Sequence, residues 1–159
     1  KVKNVEIFEG PKITECGQTV AYFKDPDGNI LRFQKNNMNY KGVIIEESLV
    51  SKKLLKLCQI ISTRVANDDD PKTNAGEPKW TLHQVKVTEQ NIGEVVSQLG
   101  KNLKLPNWWA DLSLEDEVFI VFHNKIFKGG NSDLDFRKLV IDYARSLNLP
   151  EGQIPLVDS

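Results

Sequence analysis

The chain has 159 residues, 40% hydrophobic and 27% charged, a composition that supports a buried core and argues against wholesale disorder. Its 21 basic and 22 acidic residues nearly cancel, with no extended basic block, so the electrostatic footprint required by duplex nucleic acid or an anionic membrane surface is missing. No apolar run approaches the ~20 residues that cross a bilayer, and the lysine-rich start lacks the apolar stretch of a signal peptide, which points to the cytoplasm.

Three β-like runs open the chain, at residues 4–8, 19–24 and 29–34, rich in Val, Ile, Phe and Tyr. Gly10-Pro11 is expected to end the first. Asp25-Pro26-Asp27-Gly28-Asn29 combines the fixed φ of proline with an Asp-Gly pair that tolerates positive φ, a hairpin signal between the second and third runs. Cys16 and Cys58 lack CxxC spacing and read as reduced, buried small hydrophobes. The chain opens on Lys1 rather than Met, so either a segment is removed upstream or the chain is part of a longer product.

The stretch Ala21-Tyr22-Phe23-Lys24-Asp25-Pro26-Asp27-Gly28-Asn29-Ile30-Leu31 resembles the end of a module in the vicinal oxygen chelate superfamily, which includes glyoxalases and extradiol dioxygenases. The resemblance covers residues 1–37. It implies strands that form part of a cup, with a metal-binding Glu three residues after the Asn of the DPDGN turn. Here that position is Arg32, whose guanidinium stays protonated and cannot ligate a metal. Alternation places Ile30, Arg32 and Gln34 on one face of the strand and Leu31, Phe33 and Lys35 on the other. In the family's geometry Arg32 points into the cup, where it could hold the carboxylate or phosphate of a small anionic ligand; the competing reading is a surface or salt-bridged arginine.

A polar joint, Lys35-Asn36-Asn37, precedes Met38, the single methionine, and divides the chain into residues 1–37 and 38–159. The run from Met38 to Leu49 resembles the opening of small stand-alone archaeal and bacterial proteins of unassigned function. Residues 43–46 read as a strand, 51–57 as a short helix capped by Ser51, and 60–65 as a second strand. A polar loop follows to Lys79, carrying Asp68, Asp69 and Asp70, whose spacing lacks the turn glycine of a calcium loop. In the next strand Trp80, Leu82, Gln84 and Lys86 alternate with Thr81, His83, Val85 and Val87, and the His83 face is expected to be buried.

Thr88 is expected to cap a helix with the stripe Ile92, Val95, Val96, Leu99 and Leu103, ended by Pro106. Strands follow at residues 108–112, 118–123 and 126–127. In the middle one Phe119, Val121 and His123 oppose Val118, Ile120 and Phe122, so both faces are apolar and the strand is interior. Ser132 and Asp135 have capping-box form before a last helix whose stripe includes Phe136, Leu139, Val140 and Tyr143. The expected fold class is α+β, an antiparallel-rich sheet with two main helices packed on one face, plus an N-terminal β-meander.

No phosphate loop, nucleophile elbow, HExxH or zinc-spaced cysteine pair is present, and no metal or cofactor is expected. The candidate ligand-binding residues are Arg32, Trp80, His83, Trp108, Trp109, Asp111 and His123. His83 and His123 with Asp111 or Glu46 would make a 2-His-1-carboxylate site if the fold brought them together; the competing reading is hydrogen-bonded structural histidines. Adjacent Trp108 and Trp109 on a strand must point to opposite faces, so one of them is expected to face a pocket, a partner or solvent. Tyr143 joins this aromatic group.

Three functions are compatible with these features. The leading one is a non-enzymatic ligand-binding or scaffold protein with a glyoxalase-like remnant. A second is a metal-dependent lyase, isomerase or dioxygenase of the vicinal oxygen chelate type, with ligands from Glu6, Glu9, His83 or His123. The third is a protein-interaction module, in which an exposed tryptophan and free sheet edges would also permit homo-oligomers.

Overall fold

The structure, a computed structural model, describes residues 6–14, 19–35, 38–66 and 79–156. The expected strand start at Asn4, Cys16, the joint at 36–37 and the acidic residues Asp68, Asp69 and Asp70 lie outside the described residues. The chain divides into two compact units, Lys1–Met38 and Asn39–Ser159.

In the first unit, β1 (Glu6–Ile13), β2 (Thr19–Lys24) and β3 (Ile30–Lys35) pair antiparallel in that order. The expected hairpin joins β2 to β3, closing on the pair Lys24 and Ile30. Asp25 organises the turn. Its Oδ2 accepts from the Asn29 side-chain amide at 2.9 Å, and its Oδ1 accepts from the backbone N–H of Asp27 and Asn29 at 3.0 and 2.8 Å. The Asn29 side-chain bond, followed by the backbone bonds, lowers the Asp25 pKa. Gly28 adopts φ +87°, which the absence of a Cβ permits. Gly10-Pro11 does not end β1 as expected: the strand continues to Ile13 with register shifts between Ile7 and Glu9 and between Glu9 and Lys12. A proline removes a ladder donor, and an edge strand absorbs that loss by bulging.

The second unit contains β4 (Asn39–Ile45), β5 (Gln59–Val65), β6 (Thr81–Thr88), β7 (Trp109–Leu114), β8 (Glu117–Phe122) and β9 (Lys125–Gly130). They form one antiparallel sheet in the order β5-β6-β4-β7-β8-β9. After β4 come two 3₁₀ segments, Glu46–Ser48 and Lys52–Leu57; Ser51 Oγ accepts the Lys53 N–H at 3.4 Å, and Leu54 and Leu55 are buried. Cys58 is a free thiol, half-buried against the core, and that burial raises its pKa.

Helix α1 (Ile92–Asn102) buries the expected stripe, with Leu103 at its C-cap. Its N-cap is Asn91, not Thr88; Thr88 contributes only a carbonyl, which accepts the Asn91 N–H at 2.9 Å. Helix α2 (Leu134–Ser146) starts one residue later than the capping-box reading places it. The Asp116 carboxylate takes the Ser132 N–H and hydroxyl, so Asp133 becomes the cap and accepts from the Asp135 and Phe136 N–H groups. Asn148, at φ +56°, turns the chain away after the helix. Among the described residues no helix is long and apolar enough to cross a membrane.

The fold is α+β with an antiparallel sheet, two main helices and an N-terminal meander, as the sequence predicts, but the helices pack on opposite faces of the sheet rather than on one. Interior strand β8 is the reason. Phe119 and Val121 join the core under α1 with Ile44, Val85 and Leu99, whereas Val118, Ile120 and Phe122 join the core under α2 with Phe127, Phe136 and Val140. Successive strand residues point to opposite faces, so a strand apolar at every position demands cover on both.

Gly129 on β9 lets α2 seat closely: a Cβ there would lie 2.2 Å from the Phe136 ring. Gly129→Ala is therefore expected to lower unfolding stability by about 1–3 kcal/mol through overpacking. In a urea titration, adding Phe136→Leu should recover part of the loss; an unchanged midpoint in Gly129→Ala would contradict this packing.

Candidate functional site

Six strands spaced ~4.8 Å apart make a sheet about 24 Å wide, more than one helix of ~10 Å diameter can cover. On the α1 face the 3₁₀ segment with Leu54 and Leu55 extends the cover. On the opposite face α2 packs over β8 and β9. The same face of β5, β6, β4 and β7 carries exposed or half-buried side chains: Val43 and Ile45, Leu82 and Gln84, Arg64, and Asp111.

At the end of this face where β5 and β4 finish and β6 and β7 begin lies a cavity of about 380 Å³. Val43, Ile45 and Leu82 form its floor, and Trp80, Trp108 and Trp109 its aromatic part. Trp80 and Trp108 meet edge to face, with centroids 5.4 Å apart, an arrangement that stabilises by about 0.5–1.5 kcal/mol beyond area burial. Trp108 lies just before β7 rather than within the expected strand, and Trp109 opens it; the two neighbouring tryptophans nevertheless serve different cores, Trp108 on the α1 side and Trp109 on the α2 side. Both are half-buried and both reach the cavity.

One wall comes from the segment after α2. Trp109 Nε1–H donates to the Gln153 carbonyl at 2.7 Å. Two arginines of α2 hold that segment back: Arg145 pairs with Glu151 at 3.0 and 3.3 Å, and Arg137 donates to the Leu156 carbonyl at 2.7 Å. The polar lining consists of Arg64, Asn107, Asp111 and Gln153.

Of the seven residues singled out in the sequence, Trp80, Trp108, Trp109 and Asp111 converge here. His83 does not, because it faces the α1 side and is buried, as expected for its strand face. Its Nε2–H donates to Glu46 Oε2 at 2.9 Å, and its Nδ1 is hydrogen-bonded to the Thr63 hydroxyl at 2.8 Å. Glu46 also accepts from Lys52, and its neighbour Glu47 receives the Thr81 N–H and hydroxyl at 2.8 and 2.9 Å. These adjacent glutamates clamp β6 to the segment after β4.

His123 is separately engaged, donating Nδ1–H to the Leu103 carbonyl at 2.6 Å. The histidines and Asp111 therefore do not assemble into a 2-His-1-carboxylate site. Among the described residues no group of three or more His, Cys, Asp and Glu side chains could hold a metal. Tyr143 belongs to the α2 core, meeting Phe122 edge to face and Phe127 at a tilt. Arg32 is exposed on β3 opposite Tyr22 and is not among the described residues that line the cavity.

Sequence reasoning missed Val43, Ile45, Arg64, Asn107 and Gln153. A signal existed for part of this set: the face of β6 opposite His83 begins apolar, with Trp80 and Leu82, and ends polar, with Gln84 and Lys86. Gln153 had no sequence signal, because only the folding-back of the last segment brings it to Trp109.

Lys52 first, and His83 second, hold the Glu46 carboxyl below its ordinary value of 4.5. A folded-state pKa below the unfolded one adds stability above the unfolded value, and that contribution is lost as pH falls through the folded value. Glu46→Gln should therefore melt at a lower temperature than the parent at pH 7. The gap should close as pH falls below about 4.5, and a gap that stayed constant to pH 2.5 in thermal melts would contradict the assignment.

No protein-family model matches this chain, and no curated protein or solved structure matches it significantly.

Proposed function

We propose that the second unit is a small-ligand-binding module that takes an aromatic or other planar apolar group into the tryptophan-lined cavity, and that the protein acts by binding rather than by catalysis. The convergence of Trp80, Trp108 and Trp109 on one concavity carries this reading. The volume, about 380 Å³, falls within the range of small-molecule sites, which combine an apolar lining with a few placed polar groups. Tryptophan offers a large rigid contact area together with an N–H, a combination suited to gripping a flat ligand. The first unit is read as scaffold, with Arg32 standing where the vicinal oxygen chelate pattern would place a metal carboxylate.

The chain has three tryptophans and all line the cavity, so every indole N–H resonance reports on the site. Titration of ¹⁵N-labelled protein with indole, 2-naphthol and benzimidazole should shift these signals together, and Trp80→Ala should weaken binding by about fivefold or more. Silence of all three indole signals at millimolar probe, or shifts confined to other amides, would sink the proposal.

A further inference from the structure

The cavity continues along the same sheet face into a second, more open hollow of about 570 Å³, and the two share Val43 and Asp111. The hollow differs from the cavity in chemistry. Lys41 on β4 and Lys86 on β6 are direct cross-strand partners on this face, and Ser113 on β7 is the other partner of Lys41. Like charges directly opposite each other in a sheet repel. Among the described residues neither lysine makes an ion pair, and an anion placed between them would attract both and offset their repulsion.

Neighbouring groups suit such an anion. Gln84 accepts from Ser62 through its Oε1 at 2.9 Å, which leaves its amide NH₂ as a donor at the edge of the hollow. The carboxylate of Asp111 stands at the junction; Arg64 lines the cavity at the tryptophan end, and the two lysines line the hollow at the other. Strand geometry sets the spacing: Lys41 lies two residues from Val43 and four from Ile45, or about 7 and 13 Å along the face.

Building on the cavity reading above, we infer that the ligand is an elongated aromatic acid whose ring lies among the tryptophans and whose carboxylate, or equivalent anionic group, is held between Lys41 and Lys86. The ring and the acid are joined by an apolar spacer running over Val43. The lysine pair thus selects for charge at one end of a molecule that the tryptophans select for flatness at the other.

The test compares 6-phenylhexanoate with 6-phenylhexan-1-ol, near-isosteres that differ in charge, by calorimetry on the full chain. At low salt the acid should bind about fivefold tighter than the alcohol. That advantage should shrink toward unity between 50 and 500 mM KCl in the parent protein. It should also vanish in Lys41→Gln/Lys86→Gln yet persist in Lys101→Gln, which changes an exposed charge on α1.

An alcohol that perturbs the indole signals while the acid binds no tighter would overturn the lysine assignment and leave the cavity reading standing, as would an advantage that survives the double substitution. Failure of both compounds to perturb any indole signal would overturn both. The salt series on unmodified protein tests whether the acid is held by charge, and the single substitutions Lys41→Gln and Lys86→Gln, each expected to reduce the advantage, assign that hold to the lysines where the double variant does not fold.

Discussion

Strand β8 is apolar at every position from Val118 to Phe122, and each of those side chains is buried. Because consecutive side chains on a strand point opposite ways, one such strand requires cover above and below. That constraint divides the core of the second unit in two, places α1 and α2 on opposite sides of the sheet, and makes β7 and β9 its flanking partners. Tyr40 supports the α1 side by donating to Glu117 at the start of β8 while packing on Phe119 at 5.5 Å. Burial, followed by the Glu117 bond, pushes the Tyr40 pKa up to about 12.

Covering both faces of a six-stranded sheet with two helices of 11 and 13 residues is geometrically incomplete, and the two faces meet the shortfall differently. On the α1 side, Leu54 and Leu55 of a 3₁₀ segment fill the remaining space, and Glu46 and Glu47 tie that region to His83 and Thr81. On the α2 side, the segment after the helix reaches only as far as Trp109. The candidate cavity is the consequence: a sheet surface left between α2 and the edge strand, rimmed by aromatic side chains too large to be fully absorbed by either core.

Elements governed by local chemistry were legible in the sequence. The Asp25–Asn29 turn, the α1 stripe, the Ser51 cap and the buried His83 face follow from φ preferences, periodicity and side-chain reach over a few residues. Misreadings arose where a distant group competed for a local one. Asp116 takes the hydrogen bonds that would have made Ser132 a cap, and β1 bulges through Gly10-Pro11 instead of stopping. The two apolar faces of β8 were visible, but their implication for helix placement depends on which strand each helix packs against.

The site divides along the same line. Tryptophan content, the opposed orientations of Trp108 and Trp109, and the apolar start of the Trp80 face are properties of residue type and period two, and the sequence by itself determined them. That Trp80 meets Trp108, that Val43 and Asp111 share a face with Lys41 and Lys86, and that Gln153 closes one wall were decided only by the tertiary structure. Strand order β5-β6-β4-β7 and the folding-back of the C-terminal segment join residues far apart in the chain, and neither composition nor periodicity carries information about which strands become neighbours.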